Sequence, residues 1–133
     1  VGIFGVGHLG KFHISNWKEI EGVKIIGFFD PNNDNANEVI NTHGLKRFSD
    51  EEKLIEACDI IDVITPTDLH YEVCMMAIRK GKHVFVEKPF TLIDLEIYKL
   101  LDFNILDNSE IVKSTFLSVL GLPFHIQVSW VHS

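Results

Sequence analysis

Residues 1–10, VGIFGVGHLG, decide the fold. An apolar run at 1–6 ends in glycines, and Gly5, Gly7 and Gly10 take the spacing G-x-G-x-x-G. Leu9, Phe12, Trp17 and Ile20 then recur at helical spacing. Strand, glycine turn and helix in that order form the context in which this spacing cradles a dinucleotide. The reason is steric. Gly5 permits the tight turn, Gly7 lets main chain approach a pyrophosphate, and Gly10 lets the helix pack close to the strand. The N–H groups at the helix start, around His8, Leu9 and Gly10, then hold the anion together with the helix dipole.

Working outward, residues 23–29 (VKIIGFF) read as a second strand that stops at the turn Asp30-Pro31. Asp30 stands twenty residues after Gly10, where a carboxylate accepts hydrogen bonds from the adenosine ribose hydroxyls. Residues 31–38 contain Asp34 and no cation, and the next cation is Lys46. A 2′-phosphate would meet the Asp30 charge with no Arg beside it, so NAD is favoured over NADP.

The alternation continues. A polar stretch leads into a helix to about Thr42. The capping box Ser49-Asp50-Glu51-Glu52 opens another to about Ala57. Residues 60–65 (IIDVIT) form a strand, Leu69, Val73, Met76 and Ala77 a helical stripe, Gly81 a stop, and 83–86 (HVFV) a further strand. The strands are near-continuous apolar runs rather than in–out alternations. The expected fold class is therefore α/β, a Rossmann-type doubly wound parallel sheet covered on both faces. Tyr71, Met75 and Met76 read as helix packing, and His43, His83 and His125 as structural histidines.

The chain has 133 residues with 12 Lys+Arg against 19 Asp+Glu, a net charge of −7. No clustered cations mark a nucleic-acid or anionic-membrane surface. No apolar run approaches the roughly 20 residues of a membrane span, and no signal peptide is expected from the apolar strand at the start of the sequence. Cys58 and Cys74 stand in no metal-type spacing and read as two buried thiols in a reducing compartment. The expected setting is cytoplasmic, with no metal site, no nucleic-acid partner and no membrane partner.

The character changes after about Ile93. Residues 94–133 hold Lys99 and Lys113 against five acids, and residues 127–130 (QVSW) read as a strand of another kind of sheet. Residues 1–93 are taken as one domain and 94–133 as the incomplete remnant of a second, α+β domain.

Two further stretches carry a resemblance. Thr65-Pro66-Thr67-Asp68-Leu69-His70 follows the strand at 60–65, and Gly81-Lys82-His83-Val84-Phe85-Val86-Glu87-Lys88-Pro89 matches G-K-H-V-x-x-E-K-P. With the glycine turn and His13, they make residues 1–93 resemble the Gfo/Idh/MocA oxidoreductases. The resemblance implies an NAD(P)-binding Rossmann domain followed by an α+β domain. It also implies hydride transfer at a carbinol carbon of a sugar, sugar derivative or inositol, and a homo-oligomer, dimer or tetramer.

Within that frame, Thr65, Pro66 and Thr67, with Glu87, Lys88 and Pro89, line the nicotinamide, and His70 touches cofactor or substrate. Lys88, at a strand end before Pro89, is the expected catalytic residue. A cation there stabilises a developing alkoxide or relays a proton. Two readings of residues 91–111 compete: in one, Thr91 caps a helix from Leu92 to about Leu101 that continues the Rossmann domain; in the favoured one, residues 94–98 (DLEIY) resemble the helix that enters the family's second domain, with Tyr98 where the catalytic His usually stands. Reading them so requires a segment missing between 93 and 94. Tyr98 also motivates the alternative function, a non-catalytic dinucleotide-binding sensor or partner-binding protein.

Overall fold

The computed structural model describes residues 1–87 and the main chain of residues 126–129. The elements run β1 (Gly2–Phe4), α1 (His8–Lys18), β2 (Gly27–Phe29), α2 (Asn33–His43), α3 (Glu51–Glu56), β3 (Ile60–Val63), α4 (Thr67–Arg79), β4 (His83–Glu87) and β5 (Ile126–Ser129). The sheet order is β2-β1-β3-β4-β5, and every pairing is parallel. From β1 the chain turns outward to β2, then crosses back to place β3 on the other side of β1. That reversal leaves a crevice at the carboxyl ends of β1 and β3, where open parallel sheets take their ligands.

Strand residues alternate between two buried layers. Phe4, Ile61, Val63, Val84 and Val86 pack with α3 and α4 residues such as Leu54, Ile55, Val73 and Ala77. Ile3 and Phe28 pack on the other face with Ile14 of α1 and Val39 of α2. Both faces being covered explains why the strands read as continuous apolar runs. Cys58 and Cys74 are free and buried in the first layer, where burial pushes the Cys74 thiol up to about 12. Among the described residues no helix is long and apolar enough to cross a membrane.

Three expectations shift. The strand at the chain's far end joins the same parallel sheet, with Phe85 facing Gln127 and Glu87 facing Ser129, and not a sheet of another kind. Its parallel ladder to β4 is what residue alternation alone could not reveal. The second strand is shorter than 23–29: it is laddered to β1 over Gly27–Phe29, and before it the Ile26 N–H donates to the Val1 carbonyl at 2.8 Å and the Lys24 carbonyl accepts from Val1 at 2.6 Å. The cap of α3 is Asp50 rather than Ser49: the Asp50 side chain accepts the Lys53 N–H at 3.2 Å. The helix stop at Gly81 is as expected. Gly81 takes φ 68°, and the N–H groups of Gly81 and Lys82 donate to the Ile78 and Ala77 carbonyls, a Schellman ending. The boundary near Ile93, and the expectations for Asp94, Tyr98, Lys99 and His125, lie outside the described residues.

Candidate functional site

The three glycines of the first turn answer to different demands. Gly5 takes φ 89°, and a Cβ there would lie 2.6 Å from the Ile64 carbonyl oxygen. A Cβ on Gly10 would lie 2.2 Å from the Gly5 oxygen. The fold itself forbids a side chain at both. Gly7 is different. It has φ −65°, and the nearest atom to an added Cβ would be Asn35 Nδ2 at 3.8 Å. No packing among the described residues requires glycine at 7, whereas close approach of a ligand to the main chain does.

Helix α1 begins beside this open position with no side-chain cap and no acid in its first turn. Its first ladder bond runs from the Lys11 N–H to the Gly7 carbonyl. The preceding N–H groups at His8, Leu9 and Gly10 are thereby left at the helix end, the arrangement that receives an anion. His8 is exposed, with its ring edge-on to Phe12 at 5.2 Å, and Leu9 is half-buried. The cradle fits a pyrophosphate.

Asp30 is buried at the end of β2. Its Oδ2 accepts the Val6 N–H at 2.8 Å and its Oδ1 the Asn32 N–H at 2.7 Å. One carboxylate thus ties the glycine turn to the turn before α2. Each oxygen has lone-pair capacity beyond that one bond, which suits ribose hydroxyl donors. Residues 46–48 run beside β2: the Phe28 N–H donates to the Lys46 carbonyl at 3.0 Å and the Phe48 N–H to the Phe28 carbonyl at 2.8 Å. That course brings Arg47 to the same corner. Its Nη2 donates to the Asp30 carbonyl at 2.8 Å and its Nη1 to Asn33 Oδ1 at 2.9 Å.

At the end of β3, Thr65 is half-buried, while Pro66 and Thr67 are exposed at the start of α4. The Ile64 N–H donates to the Phe4 carbonyl at 2.8 Å, holding this turn beside the glycine turn. His70 is buried, and its Nε2 donates to the Thr65 carbonyl at 2.7 Å. It grips the turn from inside the fold. Thr65 Oγ1 and His70 Nδ1 find no partner among the described residues. Lys88 and Pro89 lie outside the described residues.

Glu87 closes β4 and is buried. Its Oε1 lies 2.8 Å from His13 Nε2, and the opposite ring atom, His13 Nδ1, lies 2.9 Å from Asp62 Oδ2. Trp17 Nε1 donates to the same Asp62 oxygen at 2.6 Å. Phe85 covers the group, its ring 5.8 Å from the His13 ring and 5.7 Å from Trp17. Burial alone would push the His13 pKa down; hydrogen bonding and attraction from Asp62, then Glu87, outweigh it and hold the imidazole above its usual range. Burial likewise pushes the Asp62 carboxyl up, against the pull of His13 and Trp17.

Sequence reading placed the glycine turn, Asp30, Thr65 and Pro66 along one edge of the sheet, and the structure brings them together there. It passed over Asp62, Trp17 as a donor, and Arg47. Asp62 had a signal: a charge inside the apolar run IIDVI of a strand covered on both faces demands a partner. Arg47 had none, since only the bridge of residues 46–48 to β2 carries it to Asp30.

A family model described as an oxidoreductase family with an NAD-binding Rossmann fold matches residues 1–102. The chain is 37% identical over 91 residues to UDP-N-acetylglucosamine 3-dehydrogenase of Acidithiobacillus ferrooxidans, covering 68% of this chain and 28% of that protein. It is 32% identical over 94 residues to scyllo-inositol 2-dehydrogenase (NAD(+)) of Bacillus subtilis, with coverage of 68% and 28%. Among solved structures, a UDP-N-acetylglucosamine 3-dehydrogenase from A. ferrooxidans aligns with TM-score 0.65 at 36% identity, over 74% of this chain and 32% of that one. The apo scyllo-inositol dehydrogenase of Lactobacillus casei aligns with TM-score 0.64 at 28% identity, over 74% and 30%. The chain spans under a third of the length of these relatives. By its strand–glycine turn–helix, its parallel sheet and its family match, the chain belongs to the Gfo/Idh/MocA oxidoreductase family.

Proposed function

We propose that this chain is the dinucleotide-binding part of an NAD(P)-dependent dehydrogenase or reductase acting at a carbinol carbon of a sugar, sugar derivative or inositol. The observation that carries the reading is Gly7: open space at its missing Cβ, an uncapped helix start beside it, and Asp30 bonded to the same turn. The substrate class is supported by relatives named for a nucleotide sugar, a sugar phosphate and an inositol.

When bound, the nicotinamide supplies the hydride acceptor or donor. The glycine turn holds the pyrophosphate on main-chain N–H groups, and Asp30 takes the adenosine ribose hydroxyls, so that NAD is the favoured cofactor. Thr65 and Pro66, with Glu87 and Pro89, wall the nicotinamide, and His70 steadies the Thr65 carbonyl behind it. Lys88 stabilises negative charge on the reacting oxygen and takes or returns its proton. Residues 126–129 add to the dinucleotide-binding sheet, so the substrate and oligomerisation domain is not all of 94–133, and the working protein is a cytoplasmic homo-oligomer.

Calorimetric titration of the chain with NAD and NADP, then turnover by the full-length protein with inositols, aldoses and nucleotide sugars, tests the reading. Binding of a dinucleotide with turnover of a carbinol substrate supports it. No binding of either dinucleotide overturns it. Binding without turnover of any of these substrates favours the non-catalytic alternative that Tyr98 motivated.

A further inference from the structure

Three buried ionisable side chains meet across three elements: His13 of α1, Asp62 of β3 and Glu87 of β4. The register explains the meeting. Asp62 pairs with Phe85 across β3 and β4, and Glu87 stands two residues beyond Phe85, on the same face. Ile61 and Val63 pack with α3 and α4, so Asp62 between them faces α1 and meets His13 there.

The ring's two contacts set a proton count. Nδ1 lies 2.9 Å from Asp62 Oδ2 and Nε2 lies 2.8 Å from Glu87 Oε1. An ionised carboxylate only accepts, a neutral imidazole donates once, and an imidazolium donates twice. Both contacts are hydrogen bonds only while the group holds one proton beyond a neutral ring and two carboxylates. Trp17 Nε1 donates to the same Asp62 oxygen at 2.6 Å; an oxygen receiving two N–H donors is an ionised one, which leaves the proton on the ring. The charged groups facing the ring among the described residues are Asp62 of β3 and Glu87 of β4, while α1 adds Trp17 and β4 adds Phe85. Burial opposes the charge, and the attraction of Asp62, then Glu87, outweighs it.

The row of three does not conduct a proton onward. Asp62 is wholly buried, and its Oδ1 has no partner among the described residues, so the row ends inside the sheet. What it does is hold. Loss of the proton sets a ring lone pair against a carboxylate at hydrogen-bond distance. Asp62 lies inside β3 and keeps Trp17, whereas Glu87 ends β4, so the strand end is the part that gives way.

We propose that His13, carrying a proton between Asp62 and Glu87, is a positioning residue: it fixes the end of β4 and with it the main chain from which Lys88 follows. A displacement on the order of 1 Å at a reacting group costs a large factor in rate, so a clamp one residue away acts on turnover without touching substrate. The proposal rests on the reading of Lys88 above, and the test separates the two.

In the chain itself, NMR of the ring nitrogens, assigned by comparison with His13→Gln, is expected to show both His13 nitrogens protonated at pH 7. A ring carrying one proton there overturns the proposal and leaves the reading of Lys88 standing. In the full-length protein, kcat with a carbinol substrate should fall as pH rises through the range in which the His13 ring titrates. His13→Gln should abolish that fall and lower kcat about tenfold or more, with the NAD dissociation constant kept within about threefold. Asp62→Asn keeps the shape and removes one attraction from the ring, so the fall should move to lower pH. Added to His13→Gln, it should move nothing, because its effect passes through the ring. A fall that Asp62→Asn leaves in place, or a shift of equal size without the ring, overturns the proposal, and Asp62→Asn alone decides if His13→Gln does not fold. A kcat in His13→Gln within about twofold of wild type, or an equal loss of NAD binding and kcat, also overturns it and leaves the ring a structural role only. Unchanged kcat in Lys88→Ala, or no turnover by the wild type, overturns the reading of Lys88 and the proposal with it.

Discussion

His13 Nε2 lies 2.8 Å from Glu87 Oε1, joining the first helix to the end of β4, one residue before Lys88. The contact is buried, and the other ring nitrogen is held by Asp62. A residue whose main chain leads into Lys88 is therefore anchored to the helix whose start carries the pyrophosphate cradle. Removing the imidazole leaves two buried carboxylates facing each other with no cation between them.

His13→Gln is expected to destabilise the chain by about 3 kcal/mol near pH 6, the scale for losing one member of a buried charged group. The pH dependence has a definite sign. The folded pKa of His13 is raised, so its stabilisation is fully present below its unfolded value, about 6.5, and is lost as pH rises through the higher folded value. Urea unfolding of wild type and variant between pH 6 and 9 checks this: the gap should narrow with rising pH. A gap that widens would contradict a protonated His13.

Gly7→Ala and Gly10→Ala should behave oppositely. Gly7 has φ −65° and open space at its Cβ, so Ala should change stability by less than about 0.5 kcal/mol while weakening NAD binding at least about tenfold. A Cβ on Gly10 would meet the Gly5 carbonyl at 2.2 Å, so Ala there should cost about 2 kcal/mol or more by forcing α1 away from the turn. Thermal unfolding and NAD titration separate the two effects. Equal destabilisation by both substitutions would argue that position 7 is structural.

Asp30→Ala should act on both fold and cofactor. It strands the N–H groups of Val6 and Asn32, at a cost of about 1–3 kcal/mol. It also removes the ribose acceptor, so NAD should weaken more than NADP. Unfolding curves and paired titrations measure this, and an unmoved NAD:NADP ratio would remove Asp30 from the ribose site.

Lys88→Ala should lower kcat about a hundredfold or more while leaving the NAD dissociation constant within about threefold, the pattern of a group that acts on the reacting oxygen. Steady-state kinetics with the carbinol substrate found by screening, alongside NAD titration, checks it. Unchanged turnover would take Lys88 out of the chemistry.

Much of this was legible in the residues themselves, because the signals are local. A strand followed by G-x-G-x-x-G and an apolar helical stripe can close in few ways, and the reach from Gly10 to Asp30 is one helix and one strand. Continuous apolar strands announced a sheet covered on both faces, as Ile3 and Phe4 on opposite layers bear out. Tertiary structure alone decided what crosses between segments. It set His13 of α1 between Asp62 of β3 and Glu87 of β4, placed residues 126–129 in the parallel sheet beside β4, and laid residues 46–48 along β2 so that Arg47 reached Asp30. Periodicity says which face a residue is on. Which distant side chain shares that face depends on strand order and register, and those are settled by the packing of the whole sheet.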